Sequence, residues 1–160
     1  MIILGIDPGT ATTGYGLVEE KGGKLSVIDY GVILTEPKDS AEMRLERIYD
    51  HLVDLIEEYN PDEVAVEELF FSTNVKTAMA VGQARGVILL ATQKAGVPLS
   101  EYTPNQVKSG ICGYGAADKK QVQKMVQMIL KLDEVPQPDD AADALAIAIC
   151  HSSSRKYNNL

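Results

Sequence analysis

The hydrophobic positions change their spacing several times along the chain, and each change marks an element. Met1–Asp7 is an almost unbroken apolar run stopped by Asp-Pro-Gly, as expected of a buried strand entering a turn. Gly14–Glu19 and Leu25–Leu34 read as two more strands, joined through the hairpin connection Lys21-Gly22-Gly23-Lys24. Ser40 is a fitting N-cap. Beyond it Leu45, Ile48, Leu52, Leu55, Ile56 and Tyr59 form a stripe of helical period, which predicts a helix up to Asn60-Pro61. Val64-Ala65-Val66 is a short buried strand running into Glu67. Val75–Ala95 is a second helix, and Leu99–Tyr102 another short strand. Thr103-Pro104 has the form of an N-cap followed by Pro at the first helical position, and Gly110–Gly115 reads as a flexible link. Asp118–Leu132 and about Asp139 to His151 are the closing helices. Residues 152–160 read as a flexible, frayed tail, leaving 1–151 as one domain. The order βββαβαβαα places three antiparallel strands before strands that alternate with helices. It predicts an α/β fold with a mixed five-stranded sheet and helices on both faces.

Composition narrows the class. A chain of 160 residues with 45% apolar and 24% charged side chains can bury a core of its own. That excludes a disordered chain, a collagen-like chain and a disulfide scaffold. No apolar run approaches the roughly 20 residues of a membrane-spanning helix. The opening run lacks a basic flank and does not read as a signal peptide. Cys112 and Cys150 lack metal-ligand spacing and read as free thiols of a cytoplasmic protein. The net charge of −8 is unevenly divided. Residues 71–131 carry Lys76, Arg85, Lys94, Lys108, Lys119, Lys120, Lys124 and Lys131 against Glu101 and Asp118 alone. A charge run by itself is commonly a solvated face, but an acidic body with one basic segment admits nucleic acid as a partner. Ala78, Gly82 and Gly86 form a small-residue row on the second helix, suited to an internal helix contact or to a dimer seam.

Four acids sit where structure alone gives them little reason to be. Asp7 ends the first strand and Glu67 the short buried one. Asp140 and Asp143 share a face at the start of a strongly apolar helix. Parallel strands whose carboxyl ends meet bring Asp7 and Glu67 together, and a helix laid across those ends adds the other two. Such a cluster repels itself unless something neutralises it, and a hard divalent cation does so most simply. Oxygen ligands without His or Cys favour Mg²⁺ or Mn²⁺ over zinc. Two such ions about 4 Å apart form the centre of a two-metal nuclease. Structural roles compete with this reading. Asp7 can be a turn former, Asp139 a helix cap, and the pattern alone leaves Glu67 and Glu68 as alternatives.

Several motifs together resemble the RuvC family of Holliday junction resolvases. They are Ile6-Asp7-Pro8-Gly9-Thr10 with Thr13-Gly14-Tyr15-Gly16, Ala65-Val66-Glu67-Glu68-Leu69-Phe70, Gly82-Gln83-Ala84-Arg85-Gly86, and Asp140-Ala141-Ala142-Asp143-Ala144-Leu145-Ala146. The resemblance implies a ribonuclease H-like fold and paired, symmetric, metal-dependent cuts in four-way junction DNA, in recombination and repair. It implies Asp7, Glu67, Asp140 and Asp143 as catalytic and metal-binding acids, with two Mg²⁺ per site and Mn²⁺ as a substitute. Phe70 falls on an aromatic that stacks on junction bases. Lys108 and Lys119 fall on lysines that approach DNA phosphate, with Lys120 as an alternative to Lys119. A homodimer and the RuvA–RuvB branch-migration complex are the implied protein partners.

Other readings remain open at this point. Asp-Pro-Gly-Thr alone also suits a phosphate loop of the actin or sugar-kinase type. Such folds enclose a nucleotide between two domains, and this chain has room for one. Another ribonuclease H-like nuclease fits the acids. A non-catalytic junction binder gains nothing from carboxylates facing phosphates. The acidic helix that ends at Tyr59 must lie away from DNA if the nuclease reading holds.

Overall fold

The computed structural model describes residues 1–68 and 74–158, with side chains through Arg155. β1 (Ile2–Asp7), β2 (Thr12–Lys21) and β3 (Lys24–Leu34) come first. α1 (Ala41–Tyr59), β4 (Glu63–Glu67), α2 (Val75–Lys94) and β5 (Leu99–Tyr102) alternate after them. α3 (Pro104–Cys112), α4 (Lys119–Leu130) and α5 (Asp139–Asn158) close the chain. The five strands form one sheet in the order β3-β2-β1-β4-β5. β1, β2 and β3 pair antiparallel, while β4 pairs parallel to both β1 and β5. This is the mixed sheet expected from the hydrophobic pattern, with the β1–β4 junction at its centre.

Alternation along the central strands separates two apolar layers. Leu4, Ile6, Leu17, Val64 and Val66 pack on Ile48, Leu52 and Ile56 of α1 and on Ala84, Ile88 and Ala91 of α2. Ile3, Val18 and Ala65 point the other way, into a core completed by α3, α4 and α5. α1 therefore covers the face opposite α5, and its exposed acids Glu42, Glu46, Asp50, Asp54, Glu57 and Glu58 lie on that far side.

α5 lies very close to the sheet. A Cβ built on Gly5 would stand 2.1 Å from the carbonyl oxygen of Ala144, and one on Gly14 would stand 2.0 Å from that of Asp140. Absent side chains on the strands, and Ala141, Ala144 and Ala148 on the helix, permit this approach. It seats the start of α5 over the carboxyl end of β1.

Local signals set the helix starts. Ser40 accepts from Met43 N, and Thr103 and Asp118 each form a capping box, with Gln106 and Gln121. Two expectations fail. Among the described residues three helices follow β5, because α3 continues through Gly110 and Ile111 to Cys112 where a flexible link was expected. Ile111 is buried, and Gly110 lies against Cys150, where a Cβ would come 2.9 Å from the Sγ. Packing thus outweighs the poor helix propensity of glycine. Residues 152–158, expected to fray, extend α5. Ser152 is buried and donates to Glu20 at 2.7 Å, and Arg155 Nε lies 2.8 Å from Glu63. Those partners lie far away in sequence, so no local pattern announces them.

The tight seat of α5 has a direct consequence. Gly5→Ala is expected to destabilise the protein by about 3 kcal/mol or more, lowering Tm by on the order of 10 °C in a thermal melt. A melt unchanged from wild type would show that α5 can lift without cost.

Candidate active site

The parallel pairing of β1 and β4 sets Ile6 opposite Val66, so Asp7 and Glu67 end neighbouring strands. Both belong to the alternating set that faces α5. Glu68, the next residue, is exposed, and its backbone N–H donates to the carbonyl of Tyr102 at 2.7 Å. Strand alternation thus separates the two glutamates that the sequence pattern left open.

α5 supplies the other acids. Its first turn crosses Gly14, the residue paired with Asp7 across β1 and β2. Asp140 and Asp143, three residues apart, project from one face of it. Carboxylate oxygens of Asp7, Asp140 and Asp143 all lie within 4.8 Å of one another. Glu67 joins them through a hydrogen bond with Asp7. All four predicted acids are thereby brought together.

The electrostatics follow from this crowding. Burial first, then the charges of Glu67, Asp143 and Asp140, push the Asp7 carboxyl up to about 9. Burial also raises Glu67 and Asp143. The donor set is oxygen throughout, partly buried and strongly negative, which suits a hard divalent cation. Asp7, Glu67, Asp140 and Asp143 are the residues that could hold one.

Two lysines line the rim. Lys119 opens α4, positioned by the Asp118 capping box, and its Nζ lies 3.4 Å from Asp143 and 3.4 Å from Asp139. Burial works against its charge, but Asp143 and Asp139 outweigh it and hold the Lys119 pKa above its ordinary value. Lys108, from α3, shares with Lys119, Glu67 and Asp143 the lining of a cleft of about 280 Å³. Lys120 is exposed and turned about 100° from Lys119 around α4. Phe70 lies outside the described residues. Asp139, expected only as a cap, holds Lys119 and accepts from Gln123 Nε2 at 3.1 Å. Nothing local in the sequence signals that pairing.

A sheet of this topology, with acids gathered at the carboxyl ends of its central parallel strands, defines the ribonuclease H-like nucleases. Residues 3–151 match the family model described as crossover junction endodeoxyribonuclease RuvC. The chain belongs to this RuvC family and is a Holliday junction resolvase. A crossover junction endodeoxyribonuclease RuvC from Halothermothrix orenii is 56% identical over 158 residues, covering 99% of this chain and 96% of that protein. One from Thermosipho melanesiensis is 58% identical, covering 98% of this chain and all of its relative. The solved Thermus thermophilus RuvC in complex with Holliday junction substrate superposes with a TM-score of 0.95 at 40% identity, covering 99% of this chain and 96% of that one. A yeast mitochondrial Holliday junction resolvase shares the fold at 15% identity, with a TM-score of 0.68. No helix among the described residues is long and apolar enough to cross a membrane.

The raised Asp7 pKa has a defined sign. Folded Asp7 keeps a proton that the unfolded chain releases above its ordinary 3.8, so stability falls as pH rises from about 4 towards about 9. In chelator-treated protein, Tm is expected to fall between about pH 6 and about pH 9, with a shallower fall in Asp7→Asn. Added Mg²⁺ should raise Tm more at the upper end of that window, because binding must displace the proton. Equal pH slopes for wild type and Asp7→Asn would contradict the assignment.

Proposed function

We propose that the protein resolves four-way junctions by two symmetric hydrolytic cuts, leaving 5′-phosphate and 3′-hydroxyl ends that a ligase can seal. The observation that carries this reading is the cluster of Asp7, Glu67, Asp140 and Asp143, with Lys108 and Lys119 on its rim. In this reading the four acids hold two Mg²⁺ ions, with Mn²⁺ as a substitute. Bound there, the ions would polarise the scissile phosphate and ease deprotonation of the attacking water. The rest falls to the chain. Asp7 gives up its proton as the site loads. Lys119 is released from Asp143 and Asp139 to face phosphate, and Lys108 offsets charge across the cleft. Lys120 adds a backbone contact beside them. Phe70 stacks on junction bases. Junction geometry is read mainly through backbone and shape.

Two cuts call for two sites, which a two-fold dimer supplies. The seam we propose lies on α2. Ala78 of the small-residue row turns inward, whereas Gly86 stands open on a face with exposed Val75, Met79 and Leu90. That apolar face supports self-association. The protein would work in the cytoplasm, where Cys112 and Cys150 stay free thiols, in concert with the RuvA–RuvB branch-migration complex.

Two experiments test this reading. Asp7→Asn is expected to cut a synthetic four-way junction about 10²-fold or more slowly. Binding in a gel shift should stay equal or tighten, since one repulsive charge is removed; normal cutting would take Asp7 out of the chemistry. Replacing Lys119 and Lys120 together by Ala should weaken junction binding and lower the slope of log affinity against log salt by about 1 to 2. An unchanged slope would place the DNA surface elsewhere.

A further inference from the structure

Beyond the end of β4 away from Glu67, a second polar cluster surrounds a buried histidine, and Tyr102, paired with Glu67 across β4 and β5, reaches into it. His151 of α5 is 4% exposed. Its Nε2 lies 2.5 Å from one carboxylate oxygen of Glu63, and its Nδ1 lies 2.8 Å from the hydroxyl of Tyr102. Arg155, one turn further along α5, donates from Nε to the other Glu63 oxygen at 2.8 Å. The Tyr102 and His151 rings meet edge to face, with centroids 5.7 Å apart. Both nitrogens of the ring and both oxygens of the carboxylate are thus engaged, away from the catalytic cleft.

The placement of this cluster is informative. β4 carries Glu63 at one end and Glu67 at the other, and both face α5. α5 runs opposite to β1 and β4: Asp140 lies over Gly14, Ala144 and Ala148 over Gly5, and His151 beside Glu63. The four residue steps from Glu63 to Glu67 span about 13 Å of strand. The eight from His151 back to Asp143 span about 12 Å of helix. The two intervals match, so a contact fixed at one end fixes the other. Packing between them also bears on that alignment, with Leu145 seated on Gly16 and Ala144 and Ala148 against Gly5. Glycines at 5, 14 and 16 face a helix rich in alanine, Ala141, Ala144 and Ala148 among them. Apolar packing is not directional, whereas a hydrogen-bonded, buried histidine is, and adds a contact that a slide of α5 would break.

We propose that Glu63, His151, Tyr102 and Arg155 form a register pin. They are positioning residues that fix how far α5 slides along the sheet, and so hold Asp140 and Asp143 in range of Asp7 and Glu67. The inference rests on the metal-site reading given above, and concerns what keeps that site at its working dimensions.

The test is Mn²⁺ binding to the DNA-free protein, followed by electron paramagnetic resonance, alongside junction cutting. His151→Ala is expected to weaken Mn²⁺ binding about tenfold, and to raise the Mn²⁺ concentration for half-maximal cutting by a similar factor. Glu63→Gln, a milder change, should shift both in the same direction. His151→Gln keeps a donor towards Glu63 and should recover most of the affinity. Ile56→Ala, in the core on the opposite face, should lower Tm while Mn²⁺ affinity stays at the wild-type value. If His151→Ala and Glu63→Gln bind Mn²⁺ as wild type does, the pin is merely structural and the inference is overturned. If wild type binds Mn²⁺ no better than Asp7→Asn, the metal-site reading itself fails, and this inference falls with it.

Discussion

Mutual repulsion among four crowded, partly buried carboxylates is the constraint to which the rest of this molecule answers. Asp7, Glu67 and the pair Asp140 and Asp143 come from two strands and a helix, and these three segments would not stay together in an unfolded chain. Apolar burial on both sides of the sheet supplies the opposing force, and the glycine-lined seat of α5 converts that force into a short distance. Within the protein itself, burial and neighbouring carboxylates raise the Asp7 pKa, and Lys119 stands against Asp143. A divalent cation would compete with that lysine and ease the same crowding, which is why such a set of carboxylates suits a metal.

Most of the framework was legible in the sequence because its signals are local. Apolar runs that stop at Asp or Glu mark β1 and β4, and Ser40 and Thr103-Pro104 mark the starts of α1 and α3. The site was legible to the extent that its acids sit at those endings. Glu67 could be told from Glu68 only by family resemblance, since two adjacent acids look alike until a strand turns one in and one out. Lys119 and Lys120 posed the same problem on a helix, where a single residue step decides which lysine overlooks the cleft. The long-range pairings were hidden altogether. The run Ser152-Ser153-Ser154-Arg155 reads as a fraying end because its partners, Glu20 and Glu63, lie on β2 and β4. His151 reads as the last residue of an apolar helix for the same reason.

Charge totals were a poorer guide than charge placement. The basic segment in residues 71–131 suggested a single surface, yet the fold distributes it. Arg85 is paired with Glu101, and Lys94 sits over the Tyr49 ring, 5.9 Å from its centroid. Lys108 and Lys119 line the cleft. Each lysine or arginine has its own environment, and the composition of the segment distinguishes none of them.

The acids of α1 face away from the cleft, across the thickness of the sheet. Six carboxylates on that outer surface leave the molecule with unlike electrical sides. A polyanion arriving from behind meets a repulsive field, while one arriving towards the lysine-rimmed cleft does not. Within the Debye length, about 8 to 10 Å at physiological salt, this asymmetry turns the protein during its approach and biases collisions towards productive encounters. A helix that takes no part in the chemistry thus influences which way round the enzyme meets its substrate.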